Sequence, residues 1–252
     1  MLINLLNSKV SILPSFHRLT AGYVLDKSII DTIDQADRVI FERDLDQALR
    51  SPSLTSLQFS ATPPSKLPPN LQKVWTGPAV GLVMADLLKY TIADIAAHID
   101  SAIDRSTFLI FNKDGVDEQL WRRVDPTKRG WLQGSAELIQ AMTLYPDDEQ
   151  LADLAYSCDV TQRAKDFRDE LSAWQGKDPG RLGSLMDQIY QRTPVRAQEM
   201  LLKRNQVMLQ AVLRSAADPE QATVFVIGAA HVVGAQGLLH DLNARGQKYQ
   251  IL

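Results

Sequence analysis

The sequence predicts an α/β protein in which two βαβ-like units, one at each end of the chain, build a central sheet and enclose a large helical insertion. Two observations carry this prediction. Both ends show the same order of apolar strand, x-x-x-His, helix and strand, which is typical of an internal repeat. The chain between them shows the 3.6-residue periodicity of helices.

The first unit is predicted within residues 1–50. The apolar run VSIL leads into the segment LPSFH, which ends at His17. A helix is predicted over 26–36, because isoleucines recur there on one face. The run RVIFE then predicts a strand that ends at Glu42, which completes a βαβ-like order.

The second unit is predicted within residues 218–252. The run TVFVI predicts a buried strand, and it is followed at once by Gly228 and His231. A leucine-rich helical segment and the strand-like run KYQIL close the chain. Gly228 permits a tight turn after the strand, and Gly234 permits close backbone approach or a positive φ.

The middle, residues 51–217, is predicted to be mostly helical, and residues 1–252 are treated as one domain. Residues 51–72 are rich in Ser, Thr and Pro and predict a loop. The run RGWLQ at 129–133 predicts a short strand. Helices are predicted over 79–104, 115–123, 135–144, 147–156, 160–175, 180–191 and 195–216.

Composition narrows the classes of function. The 27 basic and 30 acidic residues give a net charge of -3, which argues against a nucleic-acid partner. No apolar run approaches the roughly 20 residues that span a bilayer, and the N-terminus lacks signal-peptide features, so a cytoplasmic location is expected unless a periplasmic signal was removed. Cys158, the single cysteine, excludes an internal disulfide and predicts a small buried residue. The pattern makes no prediction of oligomeric state.

The two predicted units place three polar residues where ligands bind in α/β sheets. His17, Glu42 and His231 fall at or just past strand ends, and strand carboxyl ends share one edge of a parallel sheet. Two imidazoles and a carboxylate are a recurring ligand set for Mn, Co or Zn, which activate water for hydrolysis. The alternative is that these residues have no catalytic or metal-binding role: histidines after strands are often capping residues, and a glutamate that ends a strand is often solvated.

The predicted helix over 195–216 carries a second polar feature. Arg204 and Asn205 lie on or beside its apolar face, where unpaired polar groups are costly. A structural ion pair would account for them. So would a group that anchors a substrate carboxylate or stabilises an oxyanion.

Several segments together resemble the TraB/PrgY/GumN family, in the family's order and over nearly the whole chain. They are LPSFH, RVIFERD, KDGVDEQL, AWQGKDPGRL, LLKRNQVM and VFVIGAAHVVGAQGLL. The family is related to Tiki proteins, described as metal-dependent proteases, and more distantly to erythromycin esterases and haem-binding ChaN-like proteins. The resemblance implies that His17, Glu42 and His231 are metal or catalytic groups and that Arg204 is a supporting cation.

The sequence departs from the family pattern at two positions. Pro14 stands where the first motif has glycine, and proline fixes φ and has no N–H to donate. Gln133 stands where relatives often have glutamate, so it can coordinate through its carbonyl oxygen but cannot act as a base. Both changes favour a protein that binds ligand without turnover.

Three functions follow as hypotheses. The leading one is a hydrolase of peptide or amide bonds, assisted by a divalent ion (Mn, Co or Zn) at His17, Glu42 and His231. The second is a protein that sequesters a peptide or small ligand in the same pocket. The third is a metal-free, esterase-like hydrolase in which histidine acts as general base on water.

Overall fold

The computed structural model of the chain describes residues 1–20, 22–46, 110–111, 115–134 and 146–252. The predicted loop at 51–72 and the predicted helices at 79–104 and 135–144 lie outside the described residues.

The described strands form two sheets. The strands are β1 (Ile3–Leu5), β2 (Val10–Ser15), β3 (Leu19–Thr20), β4 (Arg38–Arg43), β5 (Ile110–Phe111), β6 (Arg129–Gln133), β7 (Thr223–Gly228) and β8 (Tyr249–Ile251). The central sheet has the order β6–β4–β7–β2–β1–β8, and β3 pairs with β5 in a small antiparallel sheet. The strand predicted at 129–133 is confirmed as β6.

The centre of the main sheet is parallel. Strands β6, β4, β7 and β2 run in one direction, and only β1 at the far side is antiparallel to both of its neighbours. Strand β7 lies between β4 and β2, so the two units interleave and do not sit side by side. The α/β class and the central sheet built from both chain ends are confirmed.

Burial explains the composition of the central strands. All six residues of β7 are buried, and β2 and β4 are nearly so. A parallel strand covered on both faces has no solvent side, so its sequence is a continuous apolar run. Register pairs Leu13 and Phe41 with Val226 from opposite sides, at the middle of the core.

The described helices follow the predicted periodicity closely. They are α1 (Lys27–Gln35), α2 (Val116–Arg123), α3 (Asp147–Cys158), α4 (Val160–Gln175), α5 (Pro179–Arg192), α6 (Pro194–Ala197), α7 (Lys203–Ala216), α8 (Ala229–Val232) and α9 (Leu238–Ala244). None of these helices combines the length and apolar character that crossing a membrane requires.

The helix predicted over 195–216 is interrupted. Its first turn is α6, a π-helical segment follows at Gln198–Leu202, and α7 makes the rest. Elsewhere, side-chain caps set the boundaries: Asp159 accepts from Gln162 N at the start of α4, and Asp178 accepts from Arg181 N at the start of α5.

Candidate active site

The carboxyl ends of four neighbouring parallel strands meet at one edge of the sheet. Gln133 is the last residue of β6, Glu42 is next to last in β4, and His17 follows β2. His231 follows β7 by three residues, on α8. Because all four strands point the same way, their polar ends face one cavity.

Gly228 lies at the centre of this cluster. A methyl group built on its Cα would lie 3.0 Å from Glu42 Oε2, 3.3 Å from His17 Nε2 and 3.6 Å from His231 Cδ2. The three residues singled out from the sequence therefore converge on one point. A side chain at this position would crowd Glu42 and His17.

Glu42 is a buried carboxylate with strong partners. Oε1 accepts from Arg204 Nη2 at 2.6 Å, and Oε2 accepts from the backbone N–H of Gly228 at 3.0 Å. Burial alone would raise the pKa of Glu42, but His231, Arg204 and His17 outweigh it and hold this pKa well below its usual range. Glu42 is therefore ionised.

His231 is buried and its ring is fixed in one orientation. Asn205 donates from Nδ2 to the carbonyl of Gln236 at 2.9 Å, so its Oδ1 accepts from His231 Nδ1–H at 2.6 Å. Nε2 then lies 3.6 Å from Glu42 Oε1. Burial lowers the pKa of His231, although the neighbouring charge of Glu42 opposes this shift.

His17 is held by a carboxylate on the opposite side of its ring. Nδ1 donates to Asp117 Oδ2 at 2.8 Å, and Ser15 donates its hydroxyl to the other Asp117 oxygen at 2.9 Å. The side chain is 51% exposed because it faces the cavity. The charge of Asp117, opposed by burial, raises the pKa of His17 to about 9.

The loop that carries His17 is docked on two helices. Phe16 accepts a backbone hydrogen bond from Val116 N at 2.8 Å, and Gly115 packs so closely that a Cβ there would lie 2.4 Å from the carbonyl oxygen of His17. Trp174 on α4 donates its indole N–H to the carbonyl of Pro14 at 2.7 Å. Pro14 is therefore a regular residue of β2.

Arg204 and Gln133 form one hydrogen-bonded unit with Glu42. Arg204 Nε donates to Gln133 Oε1 at 2.5 Å, and Nη1 donates to the carbonyl of Met200 at 3.0 Å. The side chain of Gln133 thus serves as an acceptor for the guanidinium. The sequence left two explanations for the buried Arg204, an ion pair or a group that binds substrate. The structure contains the ion pair, with Glu42.

The cluster lines a cavity of about 500 Å³. One wall is polar and comes from the sheet edge. Much of the remaining lining is apolar and comes from α4, α5 and the α6 region; it consists of Phe167, Met186, Ile189, Ala197, Met200 and Leu201.

Gly234 is not part of this cavity. It has φ +91°, and a Cβ on it would lie 2.7 Å from Asp187 Oδ1, so the predicted positive φ and close approach are confirmed. Its role is to let α5 pack against the segment after α8. The other residues singled out from the sequence are gathered at the cluster or directly behind it.

Sequence reasoning missed Asp117. An acidic residue in the first turn of a helix is usually explained by the helix dipole, so nothing local marks it as the partner of a distant histidine. Its burial is visible only in the structure, where a carboxylate that is 5% exposed requires a partner.

The donor set suits a divalent cation in its chemistry. Each histidine uses Nδ1 for a neighbouring side chain and turns Nε2 toward the cluster, the arrangement in which imidazoles ligate metals. Among the described residues, however, no three His, Cys, Asp or Glu side chains stand close enough together to hold an ion as they are. Arg204 already neutralises one oxygen of Glu42.

Comparison with known proteins gives one result. The family model described as the TraB/PrgY/gumN family matches residues 7–251, nearly the whole chain. No curated protein and no solved structure matches the chain.

Proposed function

Because the chain belongs to the TraB/PrgY/gumN family and its cavity joins two imidazoles to a buried carboxylate, we propose that it hydrolyses peptide or amide bonds with the help of a divalent metal ion. The observation that carries the proposal is the convergence on Gly228 of His17, Glu42 and His231 from three different strands.

The proposed ligands are Nε2 of His17, Nε2 of His231 and the carboxylate of Glu42, and the proposed ions are Mn, Co and Zn. Such an ion would supply two things, a polarised carbonyl group and a water molecule acidic enough to ionise near neutral pH. Asp117 and Asn205 keep the two rings oriented, as residues behind metal ligands commonly do.

Side chains of the protein would bind the substrate, exclude water and stabilise charge. The apolar wall binds substrate side chains and excludes water from the bond to be cleaved. Arg204 holds Glu42 in place and contributes a positive charge behind the carboxylate, where it stabilises negative charge that develops on the substrate.

Metal content tests the proposal. We expect the purified protein to bind one Mn, Co or Zn ion per chain in elemental analysis after dialysis, and His231→Ala to lose it. His240→Ala is the matched control, because that ring is 61% exposed and lies on α9. Equal metal content in wild type and His231→Ala would reject the ligand assignment.

A metal-free hydrolase is the second candidate, and the pairing of Asp117 with His17 favours it. An imidazole oriented by a carboxylate, with its other nitrogen facing a cavity, can move protons to and from a substrate without an ion. A panel of peptides incubated with each metal or with chelator separates the routes. Cleavage that survives the chelator selects the metal-free route, and binding without products would instead indicate a sequestering protein.

A further inference from the structure

The cavity carries more positive than negative charge, although the whole protein has a net charge of -3. Among the described residues that line it, the cations are Arg18, Arg43, Arg196 and Arg204 and the acids are Glu42 and Glu170. Four arginines against two glutamates leave an excess of positive charge in a confined space. Such a cavity concentrates anionic ligands.

Three of these arginines already have carboxylate neighbours. Arg204 is paired with Glu42, and Arg196 forms an ion pair with Asp153. Arg18 is the strongest electrostatic neighbour of Glu170 among the cations. These three cations therefore each have an acidic interaction partner.

Arg43 differs from them. It is the last residue of β4 and follows Glu42 directly. Within the part of the chain that the structure describes, its guanidinium has neither a hydrogen bond nor an ion pair. Arg43 interacts electrostatically with Glu118 on α2, but the two side chains are beyond ion-pair distance. A guanidinium on a cavity wall presents a planar fork of donors that matches a carboxylate.

We propose that Arg43 binds the free carboxylate of a peptide substrate, so that the cavity takes the carboxyl-terminal end of the peptide. The inference rests on the proposed function. Arg43 and Glu42 are consecutive residues of β4 and both line the cavity, so a carboxylate bound by Arg43 would place the last peptide bond near the cluster. Hydrolysis breaks its C–N bond, joins the hydroxyl of water to the carbonyl carbon and transfers a proton to the released nitrogen.

The apolar wall adds a second requirement. Met200, Leu201 and Phe167 line the same cavity as the polar cluster, so the side chains next to the cleaved bond should be apolar. N-acetyl-dileucine meets both requirements, and N-acetyl-dileucine amide differs from it only by lacking the terminal charge.

Titration calorimetry of both probes, with product analysis of the same samples, tests the proposal. Wild type should bind the acid about 10- to 100-fold more tightly than the amide, as expected for a hydrogen bond between charged groups. Arg43→Gln should bind the two probes equally, and Arg43→Lys should keep part of the preference. Arg245→Gln, a change at an exposed arginine after α9, should behave like wild type.

Each other result overturns a defined claim. Equal binding of acid and amide by wild type, or an unchanged preference in Arg43→Gln, would overturn the role of Arg43. Equal cleavage of both probes would do the same while leaving hydrolysis intact. A preference that depends on Arg43, without products under any metal condition, would support carboxylate binding and reject the hydrolase.

Discussion

At the scale of single residues, the site depends on two hydrogen bonds that point the histidine rings at one carboxylate. Asp117 holds Nδ1 of His17, and Asn205 holds Nδ1 of His231. Opposite environments then act on the rings: a carboxylate favours the charged form of His17, whereas burial favours the neutral form of His231. In the metal-free protein the two imidazoles therefore favour different protonation states.

Asp117→Asn should lower the pKa of His17. The carboxylate charge of Asp117 is the largest cause that raises that pKa from 6.5 to about 9, so its removal should move the pKa of His17 back toward 6.5. NMR titration of the ring protons in metal-free protein measures the change. The exposed ring of His240 should show the same signals in both proteins, and a pKa of His17 still near 9 would contradict the assignment.

The same pair makes stability depend on pH in a defined direction. Because the folded-state pKa is raised, the contribution of the pair is fully present below pH 6.5 and is lost as the pH rises through about 9. In urea unfolding, the free energy of unfolding of wild type should fall across this pH window by an amount that Asp117→Asn does not show. The same dependence of the free energy of unfolding on pH in the two proteins would contradict the pairing of His17 with Asp117.

Gly228→Ala should disturb the cluster without unfolding the protein. The backbone of Gly228 has φ -50°, which alanine adopts freely, but its Cβ would crowd Glu42 and His17. We expect a loss of ~1–3 kcal/mol from crowding and shifted NMR signals from both histidine rings of the site. Gly246→Ala is the control, since this glycine after α9 has φ +77° and no heavy atom within 4 Å of a built Cβ, so only its positive φ costs ~1–2 kcal/mol. Unchanged ring signals in Gly228→Ala would contradict the convergence.

The sequence was sufficient to predict the histidines, the glutamate and the inward-facing Arg204, since strand ends and helix faces are local patterns. It was insufficient for Asp117 and Arg43. Only the fold brings Asp117 to His17 and Arg43 to the cavity wall. The position of Asp117 in the first turn of a helix also has an adequate local explanation.

At the scale of elements, the strand and loop that carry His17 are fixed by α4. Trp174 is 1% exposed, packs against Phe16 and Tyr23, and donates to the carbonyl of Pro14. Trp174→Ala should therefore lower the free energy of unfolding by ~3–5 kcal/mol and displace His17.

Trp131 provides the matched control for this change. It lies on β6 and is 52% exposed, so Trp131→Ala should alter the free energy of unfolding by about 0.5 kcal/mol or less. Denaturant unfolding of both variants measures the difference. Equal losses in the two variants would contradict the role of Trp174.

Element boundaries were predictable where a cap or a proline marks them, as at the N-cap Asp178 and the first residue Pro179 of α5. The π-helical segment at Gln198–Leu202 was not. Its hydrogen bonds shift by one residue, but the apolar spacing around it still fits an ordinary helix. This segment ends two residues before Arg204, and its Met200 and Leu201 line the cavity.

At the scale of the whole molecule, the site exists because the two ends of the chain interleave. Strand β7 from the second unit inserts between β2 and β4 of the first, so His231 arrives between His17 and Glu42. The repeat pattern predicted that both units share one sheet. It did not predict the interleaving, because strand order depends on long-range packing, which local periodicity does not determine.

The most direct test of this account is a crystal structure of the protein grown with Mn²⁺, with the ion located by its anomalous scattering. The account predicts one strong peak beside Gly228, with Nε2 of His17, Nε2 of His231 and the carboxylate of Glu42 around it. Manganese bound elsewhere, or the two imidazoles on different faces of the molecule, would contradict it.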